Sequence, residues 1–149
     1  MDMKMIVIDG EAQNWEEAIR LTAGELCRKG CVTGQFSEHC IEREKKFPTG
    51  LEMEVPIAIP HTESEYVVQT AICFLRLKNP VRFVNMEDAE GTLEVKYVLN
   101  LAIKEKEKQV PMLQKVIEVF QDGRFLKQAS MLTPDEFRGT LLKRLMLDD

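Results

Sequence analysis

The stretch "LEVKYVLNLAI", residues 93–103, contains the clearest periodicity in the sequence. Every second residue is apolar: Leu93, Val95, Tyr97, Leu99, Leu101 and Ile103. Because successive side chains of a β-strand point to opposite faces of the sheet, this alternation gives one side of a strand a continuous apolar face. The pattern predicts a long strand in the centre of a sheet.

Further strands are predicted before this stretch. The apolar runs at residues 3–8 and 70–77 are typical of strands, and the Asp9-Gly10 turn signal closes the first of them. The dipeptide Asn79-Pro80 predicts a turn that leads into a short strand at 81–84. The polar segment "EDAEG", residues 87–91, is predicted to form a loop before the long strand.

Two helices are predicted between the first strand and residue 50. Asn14 is a suitable N-cap for the first helix, in which apolar residues recur at helical spacing until Gly30. Ser37 can cap the second helix, which Pro48 terminates. Arg43 is therefore expected near the end of a helix.

The C-terminal third of the chain predicts further helices. Pro111 suits the first turn of a helix that runs to Gly123, and a short helical piece is expected around residues 125–129. Thr133 and Glu136 have the spacing of a capping box, which opens a last helix. Because strands and helices intermix along the chain, the predicted fold class is α/β, with one mixed β-sheet flanked by α-helices.

Composition and charge limit the classes of protein to which the chain can belong. A chain of 149 residues with 44% hydrophobic residues can bury one sizeable core, which predicts a single domain over residues 1–149. The net charge of −5 disfavours a surface that binds nucleic acid. The apolar runs are far shorter than the roughly 20 residues of a bilayer span, so any membrane contact is expected to be indirect. Four cysteines without a secretory signal favour a reduced, cytosolic protein.

The stretch "FPTGLEMEVPIAIPHTE", residues 47–63, places one of the two histidines of the chain directly after a proline. Pro60 has a fixed φ and no N–H group, so the segment is not expected to continue as an interior strand. His61 is therefore expected in an exposed turn, with the hydroxyl of Thr62 beside its imidazole.

Residue chemistry leaves four interpretations of His61 open. A lone histidine among apolar residues is commonly structural. A metal site is disfavoured, and none is predicted, because neither histidine belongs to a His-x-x-x-His or Cys-x-x-Cys pattern. General acid–base catalysis would require a second positioned group, which the spacing of the nearby glutamates does not single out. As a nucleophile, the neutral imidazole could accept a phosphoryl group, given a fixed nitrogen and donors for the phosphoryl oxygens.

The stretch "REKKFPTGLEMEVPIAIPHT", residues 43–62, resembles the active-site segment of one family. This family comprises the type-2 (fructose–mannitol class) enzyme IIA components of the bacterial phosphoenolpyruvate-dependent sugar phosphotransferase system. The specific features are the arginine–glutamate pair, the Pro/Thr/Gly turn and "IAIPH". The order of the predicted elements matches over nearly the whole chain, which implies the IIA fructose/mannitol-like fold of the phosphotransferase/anion-transport-like type.

The resemblance implies a phosphotransferase that works through a phosphohistidine. His61 matches the family's histidine, which accepts a phosphoryl group from the carrier protein HPr and passes it to a cysteine of the IIB component, while the membrane IIC component takes up the sugar. Arg43 matches the family's arginine and would neutralise or orient the phosphoryl group, with Thr62 as a further hydrogen-bond donor. No cofactor and no direct insertion into the membrane are implied.

Many family members carry a second active-site histidine at the start of the helix after the long strand, where this chain has Gln109. A glutamine can donate a hydrogen bond to the site but cannot titrate. This substitution and the "FPTG" turn resemble the galactitol-type branch, which implies uptake of galactitol or a related polyol. The alternative is a regulatory IIA-like protein that signals its phosphorylation state by docking onto another protein.

Overall fold

The computed structural model describes residues 3–146, so residues 1–2 and 147–149 of the predicted domain lie outside the described part. The elements follow in the order β1 (Lys4–Gly10), α1 (Trp15–Arg28), α2 (Phe36–Lys46), β2 (Gly50–Leu51), β3 (Ile57–Ala58), β4 (Ala71–Asn85), β5 (Asp88–Ala102), α3 (Gln109–Phe120), α4 (Gly123–Ala129) and α5 (Pro134–Met146). Short 3₁₀ turns precede β4 and α3, at Ser64–Tyr66 and Lys106–Lys108.

The strands of the described residues form one mixed sheet. β1 pairs in parallel with β4, β4 pairs antiparallel with β5, and the short β3 lies parallel to β5 on its other side. β2 pairs antiparallel with β3 and meets the end of β4, where Gly50 is opposite Asn85. β5 is thus flanked by β4 and β3, and its place inside the sheet agrees with the sequence-based prediction.

Helices cover both faces of the sheet. Ile72 and Phe74 of β4 pack with the apolar residues of α3, α4 and α5, whereas Cys73 between them packs with those of α1 and α2. The period of two along a strand therefore sends alternate residues into two separate helical layers. This three-layer arrangement confirms the predicted α/β class with a mixed sheet flanked by helices.

The alternating apolar residues of β5 do not form one continuous face, so this part of the prediction is wrong. Leu93 and Val95 pack in a cluster that includes residues of α1, whereas Leu99 and Leu101 pack with α3, α4 and α5. The change coincides with a shift in the β4–β5 register in the residues that follow Arg76 of β4. Such an irregularity increases the local twist and can redirect side chains to the other face.

Two predicted turns and one predicted loop also differ from the structure. Asn79-Pro80 lies inside β4, at the register shift, where the missing N–H of proline removes no regular ladder bond. The chain reverses instead at residues 86–87, so that most of the predicted "EDAEG" loop belongs to β5. Asp9 and Gly10, predicted to close the first strand as a turn, are still paired with β4.

The helix ends follow the capping predictions with one exception. The Asn14 side chain accepts a hydrogen bond from the backbone N–H of Glu17, and Thr133 and Glu136 exchange both bonds of a capping box. Ser37 does not cap α2, because the fully buried Phe36 before it already belongs to the helix. None of the helices in residues 3–146 has the length and apolar character that a membrane crossing requires.

Gly50 allows β2 to approach β4 closely, which gives a test of the fold. A Cβ atom at this position would lie 2.6 Å from the backbone oxygen of Val84. We expect Gly50→Ala to lower the free energy of unfolding by about 1–3 kcal/mol, as measured by urea denaturation, because backbone would have to shift. Gly34→Ala is the control, because its Cβ would meet nothing within 4 Å. Equal stability of the two variants would contradict the close approach.

Candidate active site

His61 lies beside the central strand of the sheet. It is the third residue after β3, and its backbone forms a parallel bridge with Leu101 of β5. The carbonyl of Pro60 accepts a hydrogen bond from the backbone N–H of Leu101, at 3.0 Å. Pro60 lacks a donor but keeps its acceptor, so the segment continues alongside β5 after the proline.

This pairing overturns the predicted exposed turn. Only 7% of His61 and 1% of Thr62 is exposed. The prediction took the missing N–H of Pro60 as the end of sheet pairing, whereas the proline carbonyl and the His61 backbone still pair with β5. The imidazole is therefore held at the margin of the core with little contact to solvent.

The two nitrogens of the His61 ring differ in their surroundings. Nδ1 lies 2.8 Å from the carbonyl oxygen of Ile59, which can only accept, so Nδ1 carries the proton. Nε2 has no hydrogen-bond partner among residues 3–146. Nε2 is not among the buried side-chain nitrogen and oxygen atoms of these residues that lack a hydrogen-bond partner. The small exposed part of the ring therefore includes Nε2.

The surroundings of His61 favour the neutral ring. Burial lowers its pKa from 6.5, the hydrogen bond to Ile59 opposes this shift, and the positive charge of Arg43 lowers the pKa further. The carboxylate of Glu63 acts in the opposite direction but does not reverse the result. At neutral pH the ring is uncharged, with a free electron pair on Nε2.

Arg43 lies in the last turn of α2 and has an unusual unsatisfied donor. Its guanidinium lies 5.0 Å from the centre of the Phe47 ring. Nε of Arg43 is buried and has no hydrogen-bond partner, the one such side-chain nitrogen or oxygen in the described part of the chain. A buried donor without an acceptor is costly, and an anion that reached it would remove that cost.

Thr62 and Gln109 meet through a backbone contact. The amide Nε2 of Gln109, the first residue of α3, donates to the carbonyl oxygen of Thr62 at 2.8 Å. The Thr62 hydroxyl donates to the Glu63 carboxylate at 2.6 Å. Gln109 therefore contacts the chain beside His61, and in this state the Thr62 hydroxyl is engaged with Glu63.

Two residues of the site were missed by sequence reasoning. The Glu44 carboxylate, 5% exposed, accepts hydrogen bonds from the backbone N–H of Thr49 at 2.7 Å and from its hydroxyl at 2.9 Å. Burial raises the Glu44 pKa to about 7. In the sequence, Glu44 belongs to the arginine–glutamate pair and Thr49 to the Pro/Thr/Gly turn. This pattern predicts no contact between the two residues.

Within residues 3–146 no group of three or more His, Cys, Asp or Glu side chains is placed to hold a metal ion. His39, the second histidine, stacks on Tyr66 with the ring centres 4.1 Å apart. The site thus consists of an oriented neutral imidazole, a half-buried arginine whose buried Nε has no acceptor, and a backbone segment held by Gln109. This arrangement can accept an electrophilic anionic group on a nitrogen.

The family described as "Phosphoenolpyruvate-dependent sugar phosphotransferase system, EIIA 2" matches residues 1–143 of this chain. The chain belongs to this family. A curated relative, the galactitol-specific EIIA component of the phosphotransferase system of Escherichia coli strain K12, is 32% identical over 134 residues, which is 89% of each chain. These matches confirm the resemblance to the type-2 IIA components and to the galactitol-type branch.

Two further similarities concern the fold and a regulator. The structure of Escherichia coli enzyme IIAMtl in complex with phosphorylated enzyme IIBMtl matches with a TM-score of 0.73 and 23% identity, over 95% of this chain and 93% of that one. This likeness shows the mannitol-type IIA fold. The transcriptional regulator ManR of Bacillus subtilis is 29% identical over 103 residues, 69% of this EIIA chain but 14% of ManR.

The protonation state of His61 can be measured by NMR of the ¹⁵N-labelled imidazoles, with His39→Gln to assign the two histidines. We expect His61 to titrate below pH 6.5 and to carry its proton on Nδ1 at pH 7. The contribution of His61 to the free energy of unfolding should fall below pH 6.5, because the unfolded chain binds this proton more readily, whereas Glu44 with its raised pKa contributes in the opposite direction. A His61 ring that is charged, or protonated on Nε2, at pH 7 would contradict this geometry.

Proposed function

We propose that this EIIA protein is a phosphocarrier that accepts a phosphoryl group on Nε2 of His61 from the phosphohistidine of HPr and passes it to a cysteine of a IIB component. The observation that carries the proposal is the division of roles in the ring, with Nδ1 on the Ile59 carbonyl and Nε2 left without a partner. The unpartnered Nε of Arg43 supplies a buried donor of positive charge in the same site.

The transfer needs no change in the number of protons on His61. The Nε2 electron pair attacks phosphorus, the P–N bond of the donor phosphohistidine breaks, and its electron pair returns to the donor imidazole. The Nδ1–H group stays on the Ile59 carbonyl throughout. In the second step a thiolate of IIB attacks phosphorus, and the electron pair of the breaking bond returns to Nε2.

The remaining residues act on the phosphoryl oxygens or on the backbone. Arg43 would donate charge-assisted hydrogen bonds to the phosphoryl oxygens, starting with the donor that lacks an acceptor in the resting state. The Thr62 hydroxyl would have to break its hydrogen bond to Glu63 before it could donate to a phosphoryl oxygen. Gln109 would fix the Thr62 carbonyl and not contact the phosphoryl group. Neither a metal nor a nucleotide takes part in this scheme.

The comparisons support the proposed partners and the substrate class. Similarity to a galactitol-specific EIIA component favours a role in the uptake of galactitol or a related polyol, through IIB and, indirectly, a membrane IIC component. The similarity to a IIA protein that forms a complex with phosphorylated IIB favours IIB as the acceptor. This role would place the protein in the cytoplasm, where HPr and IIB would reach it.

The similarity to ManR supports a second candidate, a regulatory role in which the phosphorylation state of His61 is read by another protein. Both candidates require phosphorylation, and they differ in whether the phosphoryl group moves on to IIB. Incubation of the isolated phosphorylated protein with galactitol-type IIB distinguishes them. Transfer to IIB cysteine supports the carrier, and retention of the group supports the regulator.

Intact mass spectrometry tests the acceptor residue. After incubation with phosphoenolpyruvate, enzyme I and HPr, we expect the wild-type protein to gain one phosphoryl group that is stable in alkali and lost in acid. His61→Ala should gain none, because the nucleophile is absent. His39→Ala is the matched control and should be phosphorylated like the wild type. Phosphorylation of His61→Ala at the wild-type level would exclude His61 as the acceptor.

A rate measurement tests Arg43. We expect Arg43→Ala to accept the phosphoryl group on the order of 100-fold more slowly, because the transition state loses a preorganised cationic donor. Arg82→Ala, which removes an exposed arginine of β4, is the control. Thermal melting of both variants separates this effect from a loss of structure. Unchanged transfer in a folded Arg43→Ala protein would refute the assigned role.

A further inference from the structure

Glu44 is the one Asp, Glu, Lys or Arg residue that is buried among residues 3–146. Its carboxylate faces the turn after α2, where it accepts hydrogen bonds from both the backbone N–H and the hydroxyl of Thr49. Removing a carboxylate from water is costly, and an apolar residue could fill the same space. The burial of this carboxylate against two donors of one residue therefore indicates that its hydrogen bonds fix the position of Thr49.

Thr49 extends this contact towards the candidate active site. Its hydroxyl hydrogen points to Glu44, so an oxygen lone pair remains to accept the backbone N–H of Ile59, at 3.2 Å. The Thr49 carbonyl shares the same N–H, at 3.3 Å. The carbonyl of Ile59 in turn accepts the Nδ1 proton of His61, at 2.8 Å. One residue, Ile59, is thus held at its N–H end and orients His61 with its carbonyl end.

We propose that Glu44 is a positioning residue that acts through Thr49 and the Ile59 backbone to keep the His61 proton on Nδ1 and leave Nε2 as the nucleophile. The consequence for phosphoryl transfer rests on the proposed function, whereas the effect on the proton position does not. If the contact between Glu44 and Thr49 only joined α2 to the following turn, it would stabilise the fold but would not affect the tautomer of His61.

The charges around Glu44 influence the pH at which its carboxyl group is ionised. In the ionised state the contacts that run from Glu44 through Thr49 and Ile59 to His61 are intact. Arg43 favours the ionised carboxylate from within α2, and the nearby Cys40 has a thiol whose pKa is raised mainly by burial and also by Glu44. A cavity of about 320 Å³ lies beside Glu44. Its other lining residues are the charged Lys45 and Lys46 of α2 and the uncharged Trp15, Pro48, Val84 and Ala89.

The protonation of Glu44 gives the proposal a pH signature. Below its pKa of about 7 the carboxyl group gains a proton, and one of the two oxygens that accept from Thr49 becomes a donor. The His61 pKa lies below 6.5, so its ring is still neutral when this happens. The transfer rate of the wild type should therefore fall as the pH is lowered through 7, relative to a variant without this titration.

The test compares Glu44→Gln, Thr49→Val and Thr49→Ser. Glutamine keeps the shape of Glu44 without its charge, valine removes the hydroxyl of Thr49, and serine restores that hydroxyl. Glu42→Gln is the control on the exposed side of α2, where Glu42 pairs with Lys45. The first measurement is the ¹⁵N NMR tautomer of His61, and the second is the rate of phosphorylation by phospho-HPr at pH 6.5, 7 and 7.5.

We expect Glu44→Gln and Thr49→Val to show a mixture of the two His61 tautomers and a rate lowered roughly 10- to 100-fold, because the nucleophile is no longer held in line. Thr49→Ser and Glu42→Gln should behave like the wild type. Glu44→Gln should also lose the fall in rate between pH 7.5 and 6.5. If Glu44→Gln does not fold, the contrast between Thr49→Val and Thr49→Ser decides the outcome.

The positioning role would be overturned if folded Glu44→Gln and Thr49→Val kept the His61 proton on Nδ1 and differed from the wild type only by a lower melting temperature. The contact between Glu44 and Thr49 would then be purely structural. A failure of the proposed function looks different. In that case HPr would not phosphorylate the wild type, yet the tautomer would still depend on Glu44 and Thr49. The NMR and transfer measurements therefore separate the two proposals.

Discussion

The hydrogen bond between Nδ1 of His61 and the carbonyl of Ile59 is the interaction on which the site depends. A neutral imidazole carries one proton, and the nitrogen that holds it cannot act as a nucleophile. A carbonyl oxygen can only accept, so its position decides which nitrogen is left free. The position of that carbonyl is set by the pairing of the following residues with Leu101 of β5 and by the hydrogen bonds of the Ile59 N–H to Thr49. The chemistry of the ring thus depends on the sheet and on the turn after α2 together.

Two buried groups of the site oppose folding. His61 is desolvated, and Arg43 holds a buried donor without an acceptor. Both features weaken the folded state, and the apolar layers on the two faces of the sheet offset them. An arriving phosphoryl group would satisfy the Arg43 donor and interact with a positive guanidinium in a poorly solvated place. The unpartnered donor of Arg43 therefore favours binding of an anion.

The sequence predicted those features that depend on neighbouring residues. The strand at β5, the Asn14 cap and the capping box at Thr133 are local patterns, and each forms as expected, although the apolar face of β5 is not continuous. The Asn79-Pro80 turn failed because pairing between two long strands accommodates a proline at a register shift. The predicted N-cap at Ser37 does not form, because α2 already begins at the buried neighbour Phe36.

Within the site, the resemblance drew attention to the residues, but their contacts came from tertiary structure. His61, Arg43 and Gln109 come from the segment after β3, the end of α2 and the start of α3, and only the fold brings these segments together. The low exposure of His61 was missed because Pro60 was judged by the donor it lacks and not by the acceptor it keeps. No sequence pattern links Glu44 to Ile59, since Thr49 connects them through space.

Gln109 affects how charge must be balanced under the proposed function. A phosphoryl group brings two negative charges next to Glu63, and the amide of Gln109 is committed to the Thr62 carbonyl. The side chain at residue 109 is neutral, whereas a histidine at this position could become positive. Arg43 and the phosphorylated ring itself are positive groups close by. Positive charge or hydrogen-bond donors from the partner protein would add to these groups, so under the proposed function the transfer would depend on docking.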